Sequence, residues 1–206
     1  MVAINKRAIS PEQKALRREQ ILAAAAGMFL SQAYEAVNMT ALAETVGITK
    51  PALYRYFRGK EVLFLALFEE ELVRLKQGFT SLGQPKDLGS AVAHKFASQP
   101  LYCRLSAILH IVLERGLTYE EALAFKLSLK AHIAEIGQSL TAALQTADQA
   151  LVYEKLMQAQ QALIGAWHMT HPIGAVEKVL QREDLALFSQ DFEPVLASHL
   201  NAIFRT

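Results

Sequence analysis

The chain has 206 residues, 52% of them hydrophobic and 20% charged, with a formal net charge of +1; this excludes a disordered or polyelectrolyte chain and suffices for one large domain or two joined ones. The longest apolar run, Ile21 to Leu30, is rich in alanine and far below the roughly 18 residues that cross a bilayer, so no membrane span is expected. A single cysteine, Cys103, excludes disulfide scaffolds and cysteine-rich zinc modules and suits a reducing cytoplasm.

Ten glycines and six prolines punctuate the sequence sparsely. The segments between them repeat apolar residues at spacings of three and four, which predicts an all-α chain. A first helix is expected over 15–31, with Leu16, Ile21, Leu22, Ala25, Phe29 and Leu30 on its apolar side after Lys14, Arg17 and Arg18. Glu12 and Glu19 interrupt that basic run, so the segment reads as a helix and not as a signal peptide. Two short helices, 39–46 and 50–57, follow around the tight turn Gly47-Ile48-Thr49, and a longer one runs over 60–79 until Ser81 to Pro85 end it at a domain joint. Further helices are expected over 87–97, 101–115, 119–145, 149–170, 174–182 and 190–204. Pro100, the capping box Thr118-Tyr119-Glu120-Glu121, Asp148 and the stop His171-Pro172 mark their ends.

Charge is uneven along this order. Residues 1–60 hold nine Lys and Arg against four Asp and Glu, and residues 61–206 hold twelve against sixteen, a basic head suited to a polyanion before an acidic remainder. Within the head, Asn38 to Phe57 fits a helix-turn-helix. Leu42 and Val46 share one helix face, Leu53 and Phe57 another, Ile48 plugs the turn, and Ala43 permits close contact. Gly47 supplies a left-handed helix end, Thr49 a cap, and Pro51 suits a first turn. Lys50, Pro51, Ala52, Tyr54, Arg55 and Tyr56 then face outward. Lysine can donate to guanine edges, Pro51 and Ala52 can touch a thymine methyl, and the tyrosine hydroxyls and Arg55 can reach phosphates. The same pattern also fits a solvated helical hairpin with its tyrosines at a core edge.

The run Gly47-Ile48-Thr49-Lys50-Pro51-Ala52-Leu53-Tyr54-Arg55-Tyr56-Phe57-Arg58-Gly59-Lys60-Glu61-Val62-Leu63, with Gln20 to Ala25 and Phe29 before it, resembles the signature of the TetR family of bacterial transcription regulators. The resemblance covers about residues 15–68. It implies a three-helix DNA-binding domain over 1–60 and a larger helical ligand-sensing and dimerisation domain over 61–206. It further implies that the second short helix enters the major groove, and that Tyr54, Tyr56 and Lys60 bind phosphates of double-stranded operator DNA. Thr40 stands where members often carry an arginine or another base-contacting residue, and Asn38 replaces the usual Ser or Thr cap. With Thr40 and Thr49, the candidate DNA contacts are Thr40, Thr49, Lys50, Pro51, Ala52, Tyr54, Arg55, Tyr56 and Lys60.

All six histidines lie in the remainder. His168 and His171 are spaced for a shared ligand, but no third is spaced to join them, so neither metal nor cofactor is expected. Phe96, Tyr102, His110, Phe125, Met157 and Trp167 have the composition of an apolar pocket with polar handles for a small-molecule effector. No nucleophile–base constellation is visible, so an enzyme is not expected. The 149–170 helix is apolar around much of its girth, and Phe192, Leu196, Leu200 and Ile203 recur at helical spacing; two such helices per chain would make a four-helix homodimer interface, with internal packing as the alternative. The reading is a repressor released from a palindromic operator by an apolar or amphipathic molecule. Its rivals are a sequence-tolerant DNA-architectural protein without ligand and a helical enzyme or lipid carrier.

Overall fold

The protein is seen in a computed structural model that describes residues 10–205, and six of its α-helices begin at a side chain that accepts from an orphan backbone N–H. Helix α1, Pro11–Ser31, is opened by a capping box: the Ser10 hydroxyl accepts from Gln13 N–H at 3.2 Å, and the Gln13 side chain accepts from Ser10 N–H at 3.3 Å. It therefore starts four residues before the sequence expectation, on a Ser-x-x-Gln signal that periodicity overlooked. Asn38 caps α2, Met39–Val46, which ends at Gly47 with φ +71°, and Thr49 caps α3, Lys50–Tyr54. Helix α3 is three residues shorter than expected. The N–H of Tyr56 bonds the Leu53 carbonyl at 2.9 Å, a tightened turn that drives Phe57 into the core.

Helix α4 spans Lys60–Thr80, α5 Leu88–Ala97, and α6 Pro100–Ile108. The helix expected over 101–115 is not continuous: α6 passes into one π-helical turn, Leu109–Leu113, where Glu114 N–H bonds the Leu109 carbonyl at 3.1 Å. Leu109 and Leu113, at the two ends of this turn, are buried. Helices α7, Tyr119–Leu144, and α8, Gln149–Thr170, match their expected spans within a residue. Short α9, Ala175–Val179, is four residues shorter than expected, and α10 is Phe192–Phe204. Tyr34–Ala36 and Glu183–Phe188 are 3₁₀ turns, and the described residues contain no strand.

Helix α4 lies at the centre of one continuous core. Its Phe64 meets Phe29 of α1 and Tyr34 edge-on, its Phe68 meets Tyr102 of α6 and Phe125 of α7, and its Phe79 meets Phe96 of α5. Helix α10 closes the far end against α5 and α8. Gly89 of α5 lies so near Asn201 that a Cβ would fall 2.3 Å from its backbone nitrogen. The buried Lys155 of α8 donates to the carbonyls of Ile203 and Arg205, satisfying the end of α10.

Internal packing takes up one track of the helices expected at a dimer interface. The α8 track Val152, Leu156, Ala159, Leu163 and Ala166, and Leu196 and Leu200 of α10, are covered within the chain itself. The outward face of α8 carries Tyr153, Met157 and Met169 beside Glu154 and Gln161. The large exposed apolar residues include Tyr119, Leu123 and Leu127 along α7 and Ile173 and Leu187 beyond α8. No single helix among the described residues is long and apolar enough to cross a membrane.

Candidate nucleic-acid interface and the cavity behind it

Helices α1, α2 and α3 make the head. Leu42, Ala43, Leu53 and Phe57 are buried and set the angle between α2 and α3. Arg17 is buried with them: its guanidinium donates to the Val46 carbonyl at 2.9 Å and so closes the end of α2. Arg18 lies 5.4 Å from the Phe57 ring and pairs with Glu70 of α4 at 3.5 Å. Two of the three cations at the start of α1 thus hold the head together, a use that a charge count does not reveal. The first nine residues of the basic segment lie outside the described residues.

Thr40, Thr49, Lys50, Pro51, Tyr54 and Arg55 are exposed, while Ala52, Tyr56 and Lys60 are half-buried. Thr49 also accepts from Ala52 N–H at 3.3 Å. Lys60 is held more tightly than its sequence position implies. Its ammonium donates to the Tyr34 carbonyl, lies 3.5 Å from that of Glu35, and stands 4.0 Å from the centre of the Tyr34 ring. Burial pulls its pKa down, against the opposing pull of Glu35 and Glu61. An ammonium has three donors, so one remains for a phosphate. The Tyr34 hydroxyl donates to Glu61 at 3.3 Å. Tyr34 thereby organises the start of α4, a role its irregular sequence context does not announce.

Two further arginines tie the head to the body. Arg58 forms a two-pronged pair with the Glu121 carboxylate and donates to the Gly116 carbonyl at 2.9 Å. That hydrogen bonding, with the backbone N–H of Thr118, holds the Glu121 carboxyl down at about 2. Arg104 of α6 donates to the carbonyls of Phe29 and, at 3.0 Å, Gln32, with its guanidinium 4.4 Å from the Phe29 ring centre. Burial lowers its pKa.

Behind the head, α4, α5, α6, α7 and α8 line an apolar cavity of about 190 Å³. Four of the six residues expected to line a pocket meet there: Phe96, Tyr102, His110 and Met157. Tyr102 stacks on Phe68 and Phe96 and donates its hydroxyl to Gln160 at 3.1 Å. Phe125 and Trp167 are not on the wall. Phe125 stands behind it, edge-on to Phe68 at 6.0 Å. Trp167 lies ten residues along α8 from Met157, roughly 15 Å at 1.5 Å per residue; there it stacks on His171 at 3.7 Å and meets Phe192. Periodicity placed both on a helix face but carries no depth. Sequence reading missed Leu72, Leu75 and Phe79 of α4 and Lys126 of α7, all on the wall, because an apolar cavity and an apolar core have the same pattern.

His168 faces the Ala107 carbonyl at 3.1 Å while His171 stacks on Trp167, so the two face different partners. Among the described residues no three His, Cys, Asp or Glu side chains gather for a metal. Cys103 donates to the Phe96 carbonyl at 3.2 Å, and burial pushes its thiol up to about 12, leaving little thiolate.

Residues 21–67 match the family described as bacterial regulatory proteins, tetR family, and residues 65–205 match the tetracyclin repressor-like, C-terminal domain. The chain is 33% identical over 86 residues to the HTH-type transcriptional repressor AcnR of Corynebacterium diphtheriae, covering 42% of this chain and 45% of that protein. It is 37% identical over 62 residues to the HTH-type transcriptional activator FasR of Mycolicibacterium smegmatis, covering 30% and 28%. The matched stretches thus span less than half of either relative. A tetR-family transcriptional regulator from Streptomyces coelicolor has the same fold over 91% of this chain and 89% of its own, with a TM-score of 0.56 at 17% identity.

Proposed function

The chain belongs to the tetR family of bacterial regulatory proteins, and from that premise we propose a repressor that leaves its operator when a small apolar or amphipathic molecule fills the cavity behind the head. That it is a DNA-binding transcription regulator follows from the family; repression and ligand response are the proposal. Two copies, each reading a half-site with α3, would bind an inverted repeat, since two-fold protein symmetry imposes palindromy on the DNA. Residues 1–60 would be the reading head and 61–206 the sensing and dimerising part. Lys50, Pro51, Ala52 and Thr40 would meet base edges, and Thr49, Tyr54, Arg55, Tyr56 and Lys60 the backbone.

The observation that carries this reading is the double use of α4. Its first residue, Lys60, sits in the head, and two turns further on Phe68, then Leu72, Leu75 and Phe79, wall the cavity. A molecule that packs there must move α4 or its neighbours, and the head is tied to those neighbours by Arg18, Arg58 and Arg104. Release follows if the occupied form prefers a head spacing that two half-sites reject, which requires the effector to bind that form more tightly. AcnR, named a repressor, supports the sign, while FasR, named an activator, is similar over a stretch of the same head.

Selection from random duplexes followed by footprinting tests the reading. The expected result is an inverted repeat protected on both half-sites by a dimer or a pair of dimers. A single half-site held by one monomer, or protection indifferent to sequence, would overturn it.

A further inference from the structure

We propose that the cavity takes a compact amphipathic anion, a carboxylate on an apolar body of about six to eight non-hydrogen atoms, and that Lys126 binds its charge. This rests on the reading of the cavity as an effector site and adds the class of effector. Size comes first. At roughly 30 Å³ per water-sized group, 190 Å³ holds about six such groups, enough for the apolar body, while the carboxylate lies outside it at the half-exposed Lys126. The body of the cavity, walled by Phe68, Leu72, Leu75, Ile133 and Ile136, presents only hydrocarbon, so an apolar segment fits there.

The basic groups of the wall come from α7 and the π-helical turn. Lys126 and His110 are both on the cavity wall. Glu114 stands behind them and binds both: Lys126 Nζ lies 2.6 Å from one carboxylate oxygen and His110 Nδ1 3.3 Å from the other. Burial works to raise the Glu114 carboxyl, but the hydrogen bonds from Lys126 and His110 outweigh it and keep the group ionised. Glu114 therefore orients a cation toward the cavity while remaining off its wall. Its bond uses one of three ammonium donors, which leaves two for an incoming oxygen. The cationic member also has more room to move: the Lys126 side chain is 49% exposed and that of Glu114 23%. His110 lies in the π-helical turn that ends at Leu113, directly before Glu114; such turns are often found at functional sites.

The site is also wired to the head. Glu114 is two residues before Gly116, and Lys126 is five after Glu121, the two groups that hold Arg58. A ligand carboxylate that draws Lys126 from Glu114 disturbs the segment on which Arg58 is anchored, so the effector's charge, and not only its bulk, reaches the DNA-reading end.

Calorimetric titration of the full chain, without DNA, with octanoate, 1-octanol and octylammonium tests the class directly. Octanoate should bind about tenfold or more tightly than octanol, the contribution of a charge-assisted hydrogen bond. Lys126→Met, which keeps the apolar stem, should reduce octanoate to the level of octanol, and Lys126→Arg should restore the preference; a thermal melt confirms that both variants fold. Octanol binding as well as octanoate, octylammonium binding best, failure of all three to bind, or an unchanged preference in Lys126→Met would each overturn the proposal. Operator affinity with and without octanoate is measured separately. Octanoate bound through Lys126 with no effect on operator affinity would sink the release mechanism and leave the ligand class standing.

Discussion

Lys50 and Lys60 are both cations at the head, yet their surroundings assign them different work. Lys50 is exposed in the first turn of α3 with no partner among the described residues, free to meet a base edge. Lys60 is half-buried and pinned to the Tyr34 carbonyl, with one donor left for a phosphate. A phosphate contact carries little sequence information. Lys60→Ala should therefore weaken all operator variants alike and reduce the salt dependence of binding by about one ion. Lys50→Ala should instead lose about 1–3 kcal/mol at one preferred base pair and little elsewhere. Titration of both variants against an operator and its single-base changes separates the two. Equal losses across all sequences for Lys50→Ala would remove its base-reading role. The identity of these outward residues is legible in the sequence, since helix-turn-helix spacing dictates which side chains leave the core. The pinning of Lys60 is not, because its partner lies 26 residues earlier in a 3₁₀ turn.

At the scale of elements, the most demanding contact is that of α5 on α10. A Cβ at Gly89 would fall 2.3 Å from the backbone nitrogen of Asn201 and 2.6 Å from its Cα, neither of which can yield as a side chain can. Asn201 is itself held by Asp87 and Ser90, each at 3.2 Å. Gly89→Ala should therefore cost about 1–3 kcal/mol by overpacking. Gly27→Ala, in an exposed stretch of α1 where nothing stands within 4 Å of the new methyl, should instead stabilise by about 0.5–1 kcal/mol. Urea denaturation of the two variants gives opposite shifts of midpoint if this account holds. Cover by the chain itself also takes up the Val152 to Ala166 track of α8, which meets α6, α7 and α10, while Tyr153 and Met157 beside it stay exposed. An apolar track states that a helix must be covered, and both the chain's own helices and a second copy would satisfy it.

Across the whole molecule, head and body communicate through α4 and three arginines drawn from distant parts of the chain. The Arg58–Glu121 pair makes this coupling sensitive to acid. Its folded pKa, about 2, lies below the usual carboxyl value of 4.5. A depressed carboxyl contributes stability that is fully present above the unfolded value and is lost as pH falls toward the folded one. The stability difference between the wild type and Glu121→Gln should therefore hold steady above pH 5 and shrink between about pH 4.5 and 2, as denaturation at stepped pH will show. At neutral pH, Arg58→Gln should leave octanoate binding unchanged while reducing its effect on operator affinity, because the cavity survives and its link to the head does not. Full retention of the effect would assign the coupling to α4 alone.

Much of this architecture was open to inference from local pattern. Period and caps announced the helical class and most helix spans, and Gly47, Thr49 and the outward face of α3 announced a DNA-reading head. These features depend on residues within a few positions of one another, where backbone geometry dictates which side chains meet. The cavity, the arginine clamps and the covering of α8 and α10 depend on pairs 48 to 114 residues apart or on depth along a helix, as with Met157 and Trp167. Periodicity gives the direction in which a side chain points, but not what it meets. The cation facing the cavity at Lys126 and the arginines consumed within the fold became visible only when the helices were packed.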